Sequence, residues 1–228
     1  MDFKICNGGS YRWIKVILNS SDDASLIARI KEKALEVSKK VNPKNLGREV
    51  RTPEEIYNHC LPGIFAEEVV KGYLRRLGEE NDIDLEVIEE EFSSYKTHVD
   101  VKIKLNGNIK TIEVRSSFQY LTALINALNG KFGLIGTYIH ASKKHEEIKD
   151  FHITVLHRCN PIEFEDIIDK FNPETLIIGG VSRDDLKIYG ELDKGKMKQE
   201  GVEYLQVRPI ISAPKDTIDL FKKILEIE

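Results

Sequence analysis

The chain has 228 residues, of which 41% are hydrophobic and 32% charged, a balance typical of a soluble globular protein and not of a disordered or fibrous one. Its formal net charge of -4 lacks the basic excess of most nucleic-acid-binding domains, although acidic metal sites and a solvated surface can outweigh a local basic strip. No segment approaches the ~20 apolar residues that span a bilayer, and three scattered cysteines fit a reducing compartment. We therefore expect a cytoplasmic protein without a membrane partner.

Two helices are predicted in the first third of the chain. The stretch "SSDDASLIARIKEKALEVSKKV" has apolar residues near a 3.6-residue period, and Ser21 or Asp22 can cap it. The polar segment 42–54 is predicted to be irregular. A second helix is expected from Ile64 to Leu77, introduced by Pro62-Gly63 and closed by Gly78.

A β-hairpin is predicted after a strand near "DLEVIEEEF". In "THVDVKIKLNGNIKTIEVRSS", apolar and polar residues alternate on both sides of Asn106-Gly107, a dipeptide that favours a type I′ turn. A two-residue loop would pair residues whose numbers sum to 213, so that Asp100 would face Glu113. Such opposed carboxylates are destabilising unless a cation lies between them. A three-residue loop would remove this pairing.

Strands and helices alternate through the rest of the chain. A helix is expected from Tyr120 to Leu128, followed by the apolar strands "GLIGTYIH", "FHITVLH" and "TLIIGGV". The stretches "PIEFEDIIDKF" and "APKDTIDLFKKILEI" are predicted helices, "DLKIYGELDKGKMKQEGVE" an edge strand with an exposed loop, and "YLQVRPI" the last strand. Gly179-Gly180 is expected to form a turn at a strand end. The pattern predicts an α/β fold with a mixed sheet, and no linker divides residues 1–228 into separate domains.

The order helix, strand, hairpin and helix resembles the PD-(D/E)XK nuclease superfamily, the restriction endonuclease-like fold. The resemblance covers about residues 62–140 and rests on Gly63 and Glu67 in "GIFAE", on Asp100, and on Glu113-Val114-Arg115. It implies a nuclease-like core over 62–140, a helical N-terminal extension over 1–61, and completion of the sheet by 141–228. The chain departs from the family at Val99, where proline is common, and at Arg115, where lysine is expected.

The resemblance implies an Mg²⁺-dependent (or Mn²⁺-dependent) endonuclease of type II restriction type that hydrolyses double-stranded DNA. Asp100, Glu113 and Glu67 would bind the metal. Arginine cannot accept a proton, but it can hold phosphate oxygens, so Arg115 would act with Asp100 and Glu113 in catalysis, with Lys102 as a second cation. A homodimer would cut both strands symmetrically, and a cognate DNA methyltransferase is a possible partner. Candidate DNA contacts are "SSFQ" after the catalytic strand and Lys143, Lys144, Lys194, Lys196 and Lys198, although each of these groups also fits an ordinary solvated surface run.

Other interpretations remain open from the sequence. The charged face of the hairpin is also what a solvent-exposed strand would show, and Glu67 beside Glu68 resembles an ordinary exposed helix position. His98, near Asp100 in the sequence, could contact a phosphate or a metal-bound water, or it could have no functional role. With arginine in place of the family lysine, the same fold could bind DNA without cutting it, and an unrelated α/β ligand-binding protein would also suit the acidic net charge.

Overall fold

The protein has an α/β fold in the computed structural model, which describes residues 1–44, 50–89, 99–126, 128, 134–139, 148–194, 203–207 and 216–227. In chain order the elements are β1 (Asp2–Gly8), β2 (Tyr11–Ile17), α1 (Ala24–Lys40), α2 (Pro53–Glu80), β3 (Leu85–Ile88), β4 (Val101–Leu105), β5 (Asn108–Phe118), α3 (Leu124–Asn126), β6 (Leu134–Ile139), β7 (Phe151–His157), a 3₁₀ turn (Pro161–Glu163), α4 (Phe164–Asp169), β8 (Thr175–Ser182), α5 (Arg183–Tyr189), β9 (Glu191–Lys194), β10 (Glu203–Val207) and α6 (Thr217–Leu225). For β6, β9 and β10 only the backbone is described.

The described strands form two sheets. The larger is mixed, in the order β1-β2-β8-β7-β5-β4-β3, and β5 with β7 is its parallel pair, while the other neighbours run antiparallel. The smaller sheet is antiparallel, in the order β6-β10-β9. The prediction of a mixed α/β sheet is confirmed.

The N-terminal segment is not simply a helical extension, as the sequence analysis expected. It begins with the hairpin β1–β2, whose two-residue loop has Gly9 at a φ of 64° and whose second strand joins β8 in the large sheet. Helix α1 follows, begins after Asp23, and buries Ile27, Ile30, Ala34 and Val37 against the rest of the molecule. The segment 1–61 is thus part of the main fold.

Helix α2 is much longer than predicted. It begins at Pro53 because Thr52 and Glu55 form a capping box, each side chain bonding the other's backbone N–H. Pro62 and Gly63 therefore lie inside the helix instead of introducing it, and the helix continues past Gly78 to Glu80. Its long buried stripe stabilises it despite the N–H that proline lacks. The predicted boundary at residues 61 and 62 falls within this helix.

The C-terminal half follows the predicted strands more closely than the predicted helices. Every residue of β7 and β8 is buried, as expected for apolar runs. Of the helix expected from Tyr120 to Leu128, residues 120–123 are not helical, whereas Leu124–Asn126 (α3) and Leu128 are, and residue 127 lies outside the described residues. The unpredicted α5 begins after Ser182, whose hydroxyl accepts a hydrogen bond from the Asp185 N–H. Gly179 and Gly180 lie within β8 and not in a turn.

The main hydrophobic core lies between the large sheet and helices α1, α2, α4 and α6, and its largest fully buried side chains include Phe65, Phe164 and Phe221. A smaller apolar cluster contains Tyr11, Leu156 and Ile178. Among the described residues, no helix combines the length and apolar character needed to cross a bilayer.

Candidate active site

The hairpin β4–β5 has the register that the sequence predicts. Leu105 pairs with Asn108 and Val101 with Ile112, so the residue numbers of opposed pairs sum to 213. Asn106 and Gly107 both have positive φ, at 49° and 83°, as a type I′ turn requires. Val101, Ile103 and Ile112 are buried in the main core, so the alternating residues of both strands lie on the other face of the sheet.

The direct opposition of Asp100 and Glu113 is not formed, however. The ladder ends at Val101 and Ile112, one step before the two acids would meet, and the chain bends at Asp100. The Asp100 carboxylate turns toward β5 and accepts a hydrogen bond from the Val114 N–H at 2.7 Å. Asp100 therefore lies where β4 separates from β5.

Glu113 and Arg115 form an ion pair along β5. The guanidinium lies 2.8 Å from the Glu113 carboxylate, and both side chains are more than two-thirds buried. Lys102, opposite Thr111 on β4, shares the face of the sheet that carries Glu113. The sequence correctly placed these three side chains on one face.

His152 on β7 lies beside Glu113 in the parallel register and faces the same way. Its imidazole is buried, and that burial, with the charges of Arg115, Lys149 and Arg183, lowers its pKa to about 3. The imidazole is thus neutral at physiological pH. Sequence reasoning missed this residue, although a histidine within the apolar run "FHITVLH" was a signal for it.

Glu67 projects from α2 and is buried, as is its neighbour Glu68, so the interpretation of Glu67 as an exposed helix residue is wrong. Lys33 of α1 donates a hydrogen bond to the Glu67 carboxylate at 3.2 Å. Burial raises the pKa of Glu67, while the positive charges of Lys33 and Lys71 oppose that rise. The sequence offered no signal for Lys33, because a lysine on an amphipathic helix is ordinary.

Glu67 lies close enough to Asp100 to influence its ionisation. Burial raises the pKa of Asp100 to about 7, and the negative charge of Glu67 adds to the rise. The Val114 N–H, Arg115 and Lys33 act in the opposite direction. Two carboxylates that share a poorly solvated site in this way attract a cation.

The donor set suits a hard divalent cation held by few protein ligands. Among the described residues, no three His, Cys, Asp or Glu side chains converge closely enough to hold a metal ion by themselves. Mg²⁺ commonly takes one or two carboxylates and fills its other positions with water and phosphate oxygens. Asp100 and Glu67 fit that smaller set, while Glu113 is turned toward Arg115.

The structure describes only some of the residues that were candidates for DNA contact. Ser116, Ser117 and Phe118 belong to β5 itself, and the ring of the partly buried Phe118 packs against His157 and Phe164. Lys143, Lys144, Lys196 and Lys198 lie outside the described residues, as does His98. For Lys194 only the backbone is described.

Comparison with known proteins finds a similar sequence. An uncharacterized protein of Methanocaldococcus jannaschii, MJECS01, is 28% identical over 247 aligned positions, which cover 95% of this chain and 88% of the relative. No protein-family profile matches the chain, and no solved structure is significantly similar to it.

Proposed function

We propose that the protein is an Mg²⁺-dependent endonuclease with a restriction endonuclease-like fold that hydrolyses phosphodiester bonds of double-stranded DNA. One observation carries the proposal: Asp100 lies where β4 leaves β5, bonded to the Val114 N–H and electrostatically linked to Glu67. The Glu113–Arg115 pair lies directly beside it on β5.

The order of the elements supports the fold assignment. A long helix carrying Glu67 precedes a strand and then the hairpin with Asp100 and Glu113, as the resemblance to the PD-(D/E)XK superfamily implies. A later strand, β7, joins β5 in parallel, which extends the meander β3-β4-β5 into a mixed sheet.

Each residue has a role that its position allows. Asp100 and Glu67 would hold Mg²⁺, which when bound polarises a phosphate and lowers the pKa of a water molecule. Glu113 fixes the guanidinium of Arg115, and a guanidinium so held binds phosphate oxygens and stabilises the negative charge of the transition state. Lys102 adds positive charge on the same face.

A cleavage assay tests the proposal. Supercoiled plasmid and linear duplex DNA are incubated with the purified protein in Mg²⁺, in Mn²⁺, and in a chelator. We expect nicked and linear products with either metal and none with the chelator. Intact DNA under all conditions, over a range of duplex sequences and modification states, would contradict nuclease function. Sedimentation of the same sample tests the homodimer that symmetric cutting would use.

A DNA-binding module without cleavage is the second candidate, and the Glu113–Arg115 pair favours it. Arg115 keeps its charge at any pH and is engaged by a carboxylate, so it cannot serve as a proton acceptor. In that case the protein would retard DNA in a gel without shortening it. Replacing Arg115→Lys would then confer metal-dependent cleavage on an otherwise inactive protein.

A further inference from the structure

Lys33 holds an unusual position between water and the buried acids. It lies on α1, and its ammonium is 3.2 Å from Glu67 Oε2. The Lys33 side chain is 26% exposed, whereas the Glu67 side chain is only 9% exposed. A partly exposed ammonium group thus contacts a carboxylate that is almost fully buried.

The neighbouring Glu68 has more cationic partners than Glu67. Its carboxylate is 2.9 Å from the buried ammonium of Lys71 and 3.3 Å from Arg29, with Lys33 further away at 3.9 Å. Within the part of the chain that the structure describes, Lys33 is the one cation that hydrogen-bonds to Glu67. Glu68 is therefore fixed by several partners, while Glu67 depends on one.

The other cations near the acid pair are engaged elsewhere. Lys71 also contacts Glu89 at 2.8 Å, and Arg115 contacts Glu113 at 2.8 Å. Lysine carries a compact charge on a flexible stem, so Lys33 can leave Glu67 for water without unfolding α1. A divalent cation bound to Glu67 would repel the ammonium and take over its oxygen.

We infer that Lys33 is an internal counter-cation that neutralises Glu67 in the metal-free protein and competes with the divalent cation for it. The inference rests on the proposed function, because it requires the metal to bind at Asp100 and Glu67. Lys33 acts through Glu67 and is a positioning residue. Once displaced, its ammonium lies beside the site and adds positive charge near the bound phosphate.

Calorimetric titration with Mn²⁺ alone, without DNA, tests the inference. The Lys33→Met variant loses the competing charge, so we expect Mn²⁺ to bind about tenfold more tightly than to the wild type, a change worth about 1.4 kcal/mol. Lys33→Arg keeps the charge and should bind Mn²⁺ as the wild type does. Lys31→Met is the matched control, because Lys31 on the same helix pairs with Glu165 and Asp169. Its affinity for Mn²⁺ should not change.

Thermal unfolding gives a second readout. Without metal, Lys33→Met should unfold at a lower temperature than the wild type, because Glu67 stays buried without its partner, and Mn²⁺ should raise its Tm more. Unchanged or weaker Mn²⁺ binding by Lys33→Met overturns the inference but leaves the metal site intact. No Mn²⁺ binding by the wild type overturns both. If Lys33→Met does not fold, the neutral Lys33→Gln is measured in its place, with the same expectation and the same contrary result.

Discussion

At the scale of single residues, the account depends on how Asp100 ionises. Its pKa in the folded protein is raised from 3.8 to about 7, so the folded state keeps a proton that the unfolded state loses as the pH rises through that range. The unfolded state then binds fewer protons than the folded state, and the free energy of unfolding falls between about pH 4 and pH 7. This residue therefore destabilises the metal-free protein at neutral pH.

The Asp100→Asn variant should remove that pH dependence. The amide can still accept the Val114 N–H bond, yet it does not ionise. The rise in the pKa of Asp100 corresponds to a larger energy, which we reduce because the residue is partly exposed. The free energy of unfolding of the variant should exceed that of the wild type by about 3 kcal/mol at pH 7.5, and the two should be nearly equal at pH 4. Denaturant titrations at the two pH values measure it. A difference that stays the same at both values would contradict the raised pKa.

At the scale of elements, β8 shows how closely the sheet packs against its surroundings. A Cβ at Gly180 would lie 2.1 Å from the His152 carbonyl oxygen and 2.8 Å from Leu220 Cδ2. Gly180 is thus required by close packing in a strand, and Gly179 by its positive φ of 132°, and neither by the turn that the sequence suggested. Gly63, in contrast, lies inside α2, and no atom of the described residues outside that helix lies within 4 Å of an added Cβ.

These two glycines form a matched pair of substitutions. Gly180→Ala should lower the free energy of unfolding by at least about 3 kcal/mol, because backbone of β7 would have to move. Gly63→Ala should raise it by about 0.5 to 1 kcal/mol through helix propensity. Chemical denaturation of both variants provides the measurement. A Gly180→Ala protein as stable as the wild type would show that β7 and β8 do not pack as described.

At the scale of the whole molecule, the net charge of -4 and the acid pair both oppose binding of a polyanion. We expect weak DNA binding in a chelator and at least tenfold tighter binding, about 1.4 kcal/mol, when Ca²⁺ occupies the oxygen ligands. Fluorescence anisotropy with a short duplex at fixed salt measures Kd in both conditions. Glu67→Gln should lose most of the Ca²⁺ effect. Equal affinity with Ca²⁺ and with a chelator would argue against a metal-bridged complex.

The hairpin was predictable because its information is local. The Asn106-Gly107 turn fixes the register, and alternation fixes which side chains share a face. The bend at Asp100 was not predictable. It arises where β4 stops pairing with β5, and there the Asp100 carboxylate accepts the hydrogen bond of the Val114 N–H. Lys33 likewise meets Glu67 only through the packing of α1 on α2, which no short sequence pattern encodes.

Cleavage by matched aspartate variants tests the central claim most directly. Asp100 accepts a hydrogen bond from the Val114 N–H of β5, and Asp150 accepts one from the Thr111 N–H of the same strand. Of these two aspartates, Asp100 is the one whose pKa is raised by the charge of Glu67. With Mg²⁺ and duplex DNA, we predict that Asp100→Asn lowers the rate of cleavage by at least about a hundredfold, as expected for loss of a metal ligand, while Asp150→Asn cleaves within a few-fold of the wild type. Wild-type cleavage by folded Asp100→Asn would contradict the account.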